Sequence, residues 1–386
     1  MSLIYLDNAA AAPMRAVARE AMVRTWERAQ GTGLNPQSVH AAGRDAAFLL
    51  DDARARIALA LGADPTEVIF TSGATESDVI ALRGAAAARP ARRVIHTALD
   101  HPAIAQTAAT IADVRIIGLR RDGGIDLDDA EAAFAGPAPA ILALTSVASE
   151  TGVIAPVRDI VARARSRWGR EVPILLDATQ AIGRLPVDFH ALGVDLLALS
   201  GHKCGAPSGS GVLLATREVG IVPVMTGGGQ ERQLRSGTPA VATAQALAAA
   251  LTEAVEERPA MSQRHARMRE RLISGLPDGI AVATQAEATA SITMFVAPGC
   301  SAEALVVALD AAGIAASAGS ACHTGVSRPS PTLLAQGISE EDASGSLRVS
   351  FGWATRMRDV EAFLEALPGA LDAAHAYAEL ARPRSR

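Results

Sequence analysis

Ile174-Leu175-Leu176-Asp177-Ala178-Thr179-Gln180 and, further on, Leu196-Leu197-Ala198-Leu199-Ser200-Gly201-His202-Lys203 decide how this chain is read. Each is a continuously apolar run that ends in polar side chains. Strands covered on both faces look like this, because no solvated face alternates with a buried one. The pattern recurs upstream in Val68-Ile69-Phe70, Val94-Ile95-His96, Val114 to Leu119 and Ile141 to Leu144. Ala-rich helical stretches, such as 75–88 and 156–168, lie between. A βα repeat of this kind predicts a mainly parallel sheet with right-handed crossovers. Its ligand belongs at the carboxyl ends of the strands. That rule puts Ser72-Gly73-Ala74-Thr75, Asp177 and Ser200-Gly201-His202-Lys203 on one rim.

Outward from this block, 38–61 reads as a long helix with Leu50, Ala53, Ile57 and Leu61 on one face. Residues 240–276 read as a helical connection broken near Pro259. Strand 290–296, helix 301–312, strands 314–317 and 347–351, and helix 356–366 follow, an α+β piece. The expected fold class is therefore α/β. A large domain over 15–250 would hold a mainly parallel seven-stranded sheet, and a small α+β domain would combine 1–14 with 251–386. A chain of 386 residues is long enough to need both cores. The tail Arg382-Pro383-Arg384-Ser385-Arg386 receives no role.

Composition excludes several classes. Net charge is −5 with no basic block, which gives nucleic acid no electrostatic reason to bind directly. The apolar runs are of strand length, well short of the roughly 20 residues that span a bilayer. Three widely spaced cysteines form neither a disulfide framework nor a zinc knuckle, so no metal site is expected. The first residues lack a basic and apolar leader pattern, and a cytoplasmic location is expected.

Several residues carry chemistry. At Phe70-Thr71-Ser72-Gly73-Ala74-Thr75-Glu76 a strand turns into a helix, whose free amides and dipole suit a phosphate. The plainer alternative is a simple helix cap. Asp177 ends a buried strand and needs a partner, which a protonated pyridine nitrogen would supply; a structural turn-capping Asp is the alternative. Lys203, at a strand end beside Ser200 and His202, is a candidate Schiff-base former, against a Lys that merely reaches solvent. Together, an anion cradle, a strand-end Asp and a strand-end Lys in this order are what pyridoxal 5′-phosphate (PLP) requires. His101 could stack on the pyridine and move protons, or simply cap a helix. Cys322 lies in a run of small residues, Ala316 to Gly325, which suits a nucleophile that visits two places. Cys204 and Cys300 read as small-residue filler. Arg348, a cation on an apolar strand, suits the α-carboxylate of an amino acid or an internal ion pair.

The chain resembles the cysteine desulfurases of the NifS/IscS type, within the class V aminotransferase group of fold-type I PLP enzymes. The matching stretches are Tyr5 to Ala10, Asn35 to His40 with Gly43-Arg44, and Thr71 to Asp78. Asp177 to Gln180, Ser200 to Lys203, Gly227 to Glu231, Arg235 to Thr238 and Ser320 to Cys322 match as well. The resemblance implies that Lys203 holds the cofactor covalently, Asp177 pairs with the pyridinium, and His101 stacks on the ring. It implies that Gln180 bonds the ring hydroxyl, while Ala74, Thr75, Ser200 and His202 hold the phosphate. Thr238 would come from the other subunit of a homodimer. Arg348, with Asn8 and Ala10, would bind the substrate L-cysteine, and Cys322 would take its sulfur as a persulfide. The sulfur would pass to an acceptor protein, such as an iron–sulfur cluster scaffold or a thio-modification enzyme. Ser149, counted with the cofactor-binding residues, stands where the family usually has Asn. Ser208 and Trp353 replace usual basic residues. The other readings are a selenocysteine lyase, a class V aminotransferase, or a catalytically weak PLP-binding accessory protein.

Overall fold

A computed structural model describes residues 3–90, 93–111, 113–319 and 329–381. Its centre is a seven-stranded sheet. In spatial order the strands are Val68–Thr71, Gly211–Ala215, Leu196–Ser200, Ile174–Asp177, Ile141–Thr145, Arg93–Thr97 and Asp113–Ile117. Six run in the same direction, and Gly211–Ala215 alone runs antiparallel to both of its neighbours. The expected α/β class and mainly parallel seven-stranded sheet are thus present. The sequence reading had not picked out Gly211–Ala215 as a strand.

The apolar runs are explained by two cores, one on each face of the sheet. Leu144, Leu176, Leu197 and Leu199 pack with Leu50, Ile57 and Leu247. Ala143, Leu175, Leu196 and Ala198 point the other way, against Ile80, Ala81 and Leu82 of helix Ala74–Ala87. Successive residues of one strand thus serve opposite faces, and both faces are dry. The register aligns strand ends: Thr145 opposes Asp177, Asp177 opposes Ala198, and Ser200 opposes Gly211.

A third core surrounds a four-stranded antiparallel sheet in the order Ser317–Ala318, Ser346–Ser350, Ile292–Val296, Ala281–Val282. Leu272, Phe295, Leu347 and Phe363 fill it, and Leu6 enters from the N-terminal segment. Ile4–Tyr5 pairs in parallel with Ile314–Ala315.

Three expectations need correction. Helix Val241–Ser274 is continuous through Pro259. Its buried residues continue past the proline, from Leu251 and Ala254 to Met261 and His265, so tertiary packing offsets a local cost of about 3 kcal/mol. The expected strand 314–317 is two short strands, Ile314–Ala315 and Ser317–Ala318, which belong to different sheets. The last helix, Met357–Ala381, runs well beyond 366 and passes through Pro368. Among the described residues no helix is long and apolar enough to cross a membrane.

Candidate active site

The aligned strand ends, the start of helix Ala74–Ala87 and the N-terminal segment enclose a cavity of about 300 Å³. Of the residues singled out in the sequence, Ala74, Thr75, His101, Ser149, Asp177, Gln180, Ser200, His202, Lys203 and Arg348 line it, as does Ala10. Asn8 does not. Its side-chain amide is spent on the Ser350 carbonyl at 2.9 Å, so it ties the N-terminal segment to strand Ser346–Ser350. Thr238 is exposed and lies outside this cavity. Cys322 falls outside the described residues.

Close backbone approach shapes the phosphate-sized corner. The Ala74 N–H donates to Ser200 Oγ at 2.7 Å. A Cβ on Gly211 would sit 2.4 Å from Gly73 Cα, so only glycine lets strand and turn meet there. The remaining amides of the first helical turn have no intrahelical partner, which suits this corner to an anion. Glu76, beside it, donates nothing: its carboxylate accepts from the Ser72 N–H at 2.6 Å and from Arg235 at 3.0 Å.

At the far side, Asp177 is 6% exposed and takes one hydrogen bond, from the Thr179 N–H at 2.8 Å. Burial pushes its carboxyl up, against the pull of Thr179 and His101. A cation placed in the cavity would hold it ionised. His101 precedes helix Pro102–Ile111, and its Nδ1 accepts from the Ala103 N–H at 3.1 Å. The neutral ring therefore carries its hydrogen on Nε2. Burial lowers the His101 pKa, as does Lys203, so the ring is neutral at physiological pH. Burial, with Lys203 nearby, lowers His202 to about 4.

The Lys203 amine donates to the carbonyl oxygens of Ala9 and Ala10, both at 2.7 Å. Gln180 Nε2 donates to the same Ala9 oxygen at 2.9 Å. Arg348, also on the cavity wall, is 5% exposed and ion-paired to Asp7 at 2.7 Å. Its Nη1 donates to the Ser149 carbonyl at 3.0 Å. Position 149 thus serves through its backbone, which a shorter side chain does not disturb. The other two departures lie away from the cavity. Ser208 is exposed, and Trp353 donates to the Pro13 carbonyl at 2.8 Å beneath Arg15. Cys204 is buried filler whose thiol burial pushes up to about 11, and Cys300 is buried too.

Sequence reasoning gave no role to Asp78, Thr145, Thr179 or Asp7, of which the first three line the cavity. Asp78 could have been found. It shares the buried face of its helix with Ala74, Ser77 and Ala81, where a carboxyl is out of place.

The residues present fit PLP. Gln180 Oε1, Thr145 Oγ1 and Thr179 Oγ1 are buried on or beside this wall with no hydrogen-bond partner among the described residues. Such orphans are expected where a polar ligand completes the site. A phosphate fits the Gly73 corner, a ring hydroxyl fits Gln180 Oε1, and a pyridinium fits Asp177.

Comparison with known proteins agrees with this geometry. The aminotransferase class-V family model matches residues 4–363. An IscS-like cysteine desulfurase of Mycobacterium tuberculosis is 39% identical over 100% of both chains. A putative cysteine desulfurase IscS 1 of Bacillus subtilis is 34% identical over 91% of this chain and 94% of that one. Among solved structures, a NifS-like protein superimposes with a TM-score of 0.88 at 28% identity, covering 96% of this chain and all of that one. SspA in complex with cysteine superimposes with a TM-score of 0.76 at 28% identity, covering 90% and 98%.

The chain is a member of the aminotransferase class-V family, whose enzymes use PLP. Within that family the chain belongs to the cysteine desulfurases of the NifS/IscS type.

Proposed function

We propose that this chain is a PLP-dependent cysteine desulfurase that converts L-cysteine to L-alanine and keeps the sulfur as a persulfide on Cys322. The observation that carries the reading is the single cavity that brings Lys203, Asp177, His101 and Arg348 together, with unsatisfied polar atoms on its wall. The names of the relatives and a structural neighbour solved with cysteine support it.

Bound PLP would supply an electron sink for the electrons released at the substrate Cα. The chain's residues supply the rest. Lys203 offers the amine that holds the cofactor, and Ala9 and Ala10 fix where that amine stands. Asp177 stabilises positive charge on the ring nitrogen; His101 covers the ring; Ser200 and the Ala74–Thr75 turn hold the phosphate. Arg348 orients the substrate carboxylate. The Cys322 thiol then takes the substrate sulfur: an S–S bond forms, the C–S bond breaks, and the proton of the thiol balances the CH₃ of alanine. Ser317, five residues before Cys322, is the cross-strand partner of Arg348. Five residues can span about 17 Å, a length sufficient for the reach that this reading requires.

The finer features belong to the same reading. A homodimer would bring Thr238 of each subunit to the other's phosphate. A cytoplasmic acceptor protein, in iron–sulfur cluster assembly or thio-modification, would collect the sulfur. The separate apolar cores support a division into a large unit and a small one near the expected bounds of 15–250 and of 1–14 with 251–386, although Ala9, Leu251, Ala254 and Ile292 pack in the core of the large unit.

The test is to supply the holoprotein with L-cysteine and dithiothreitol and to measure sulfide and alanine. Equal amounts of both are expected, and Cys322→Ser should abolish sulfide release. Undiminished sulfide from C322S would argue for another enzyme of the fold; neither product from the wild type would argue for a PLP-binding accessory protein.

A further inference from the structure

Arg348 carries more of the site than one ion pair accounts for. A guanidinium has five N–H donors. Here one on Nη2 goes to Asp7 at 2.7 Å and one on Nη1 to the Ser149 carbonyl at 3.0 Å. Nε is buried and has no hydrogen-bond partner among the described residues. The residue is 5% exposed and lines the cavity. The donors left for a ligand are the uncommitted hydrogens of Nη1 and Nη2.

Asp7 is held rigidly. The Ser350 N–H donates to the Leu6 carbonyl at 2.7 Å, and the Ala9 N–H donates to Ser350 Oγ at 2.8 Å. Asn8 donates to the Ser350 carbonyl at 2.9 Å. The backbone on both sides of Asp7 is thereby fastened to the strand that carries Arg348. Two and three residues further on, Ala9 and Ala10 receive the Lys203 amine. One short segment thus sets the position of the cavity's guanidinium and of its amine.

We propose that Asp7 is a positioning residue for substrate: with the Ser149 carbonyl it clamps Arg348 so that the uncommitted terminal N–H groups are presented to the carboxylate of the incoming amino acid. This rests on the reading of Arg348 as the carboxylate site. Asp7 meets only one guanidinium nitrogen, so it neutralises part of the charge without closing the bidentate edge that a carboxylate needs. Without Asp7 the side chain keeps its charge and loses its aim.

The test compares holoenzyme variants Asp7→Asn, Arg348→Gln and the double variant. Binding of L-alanine and of ethylamine, the same molecule without the carboxylate, is read from the shift in cofactor absorbance. KM and kcat for L-cysteine are measured alongside. D7N should weaken L-alanine about 10-fold, as loss of a charge-assisted contact predicts, and leave ethylamine within about 2-fold. KM for L-cysteine should rise with it while kcat holds, and D7N should add nothing on the R348Q background. An equal loss for both ligands, or additive losses in the double variant, would overturn the proposal while leaving Arg348 as the carboxylate site. R348Q that still prefers L-alanine over ethylamine as the wild type does would overturn the reading of Arg348 itself. Should D7N fail to fold, Asp7→Glu is scored by the same ratio, with the same two outcomes.

Discussion

Asp78 and Asp177 are two buried carboxyl groups on the wall of one cavity, 1% and 6% exposed, and only Asp177 receives a hydrogen bond. Neither oxygen of Asp78 meets a donor among the described residues. Burial pushes the Asp78 carboxyl well above the usual range, and the charges of Asp177 and Asp100 push it further. Two buried carboxylates on one cavity wall cannot both ionise cheaply. The proton therefore sits on Asp78, and Asp177 is free to be the anion that a ring cation needs.

That asymmetry predicts unequal mutants. Asp78→Asn replaces a neutral acid by a neutral amide and should change the dissociation constant for PLP by less than about 3-fold. Asp177→Asn leaves the ring nitrogen without its counter-charge. At about 3 kcal/mol for a broken buried pair, its cofactor affinity should fall by about 10²-fold. Titration of apoprotein with PLP measures both; equal losses would mean that Asp78 is ionised.

A second prediction concerns pH and lies away from the cavity. His265 is 1% exposed, bonded to Ser291 Oγ at 2.8 Å and to the Gly352 carbonyl at 3.1 Å. Burial lowers its pKa to about 4. Its folded value lies below the unfolded value of about 6.5, so the unfolded chain binds the extra proton between those limits. Stability should be full above about pH 6.5 and should fall as pH drops toward 4. From this one group the loss by pH 5 is roughly 2 kcal/mol. Denaturant midpoints of apoprotein at pH 7.5 and pH 5 check this, and His265→Gln should flatten the difference.

Much of the fold was legible because the strands bury both faces. Runs such as Ile174 to Asp177 have no polar alternation to confuse them with surface structure, and their carboxyl ends named the rim. What was hidden was tertiary in origin. Pro259 is a local stop signal that packing on both sides of it overrides. Gly211–Ala215 owes its strand to the antiparallel slot between Val68–Thr71 and Leu196–Ser200. In the site, Lys203, Asp177 and His101 announced themselves by residue type at strand and helix ends. The role of the Ala9 and Ala10 carbonyls is carried by backbone atoms, which no side-chain pattern reveals. Asn8 looked like a substrate ligand by position, and only the contact with Ser350 shows where its amide goes.

The covalent hold of the cofactor is the claim on which the function stands. Holoprotein reduced with borohydride, digested and mapped by mass spectrometry tests it directly. The account predicts one reduced pyridoxyl adduct, on Lys203, and none in Lys203→Ala. Lys203 is the only lysine of the sequence, so an adduct on the α-amino group instead, or no adduct in protein saturated with PLP, would contradict it.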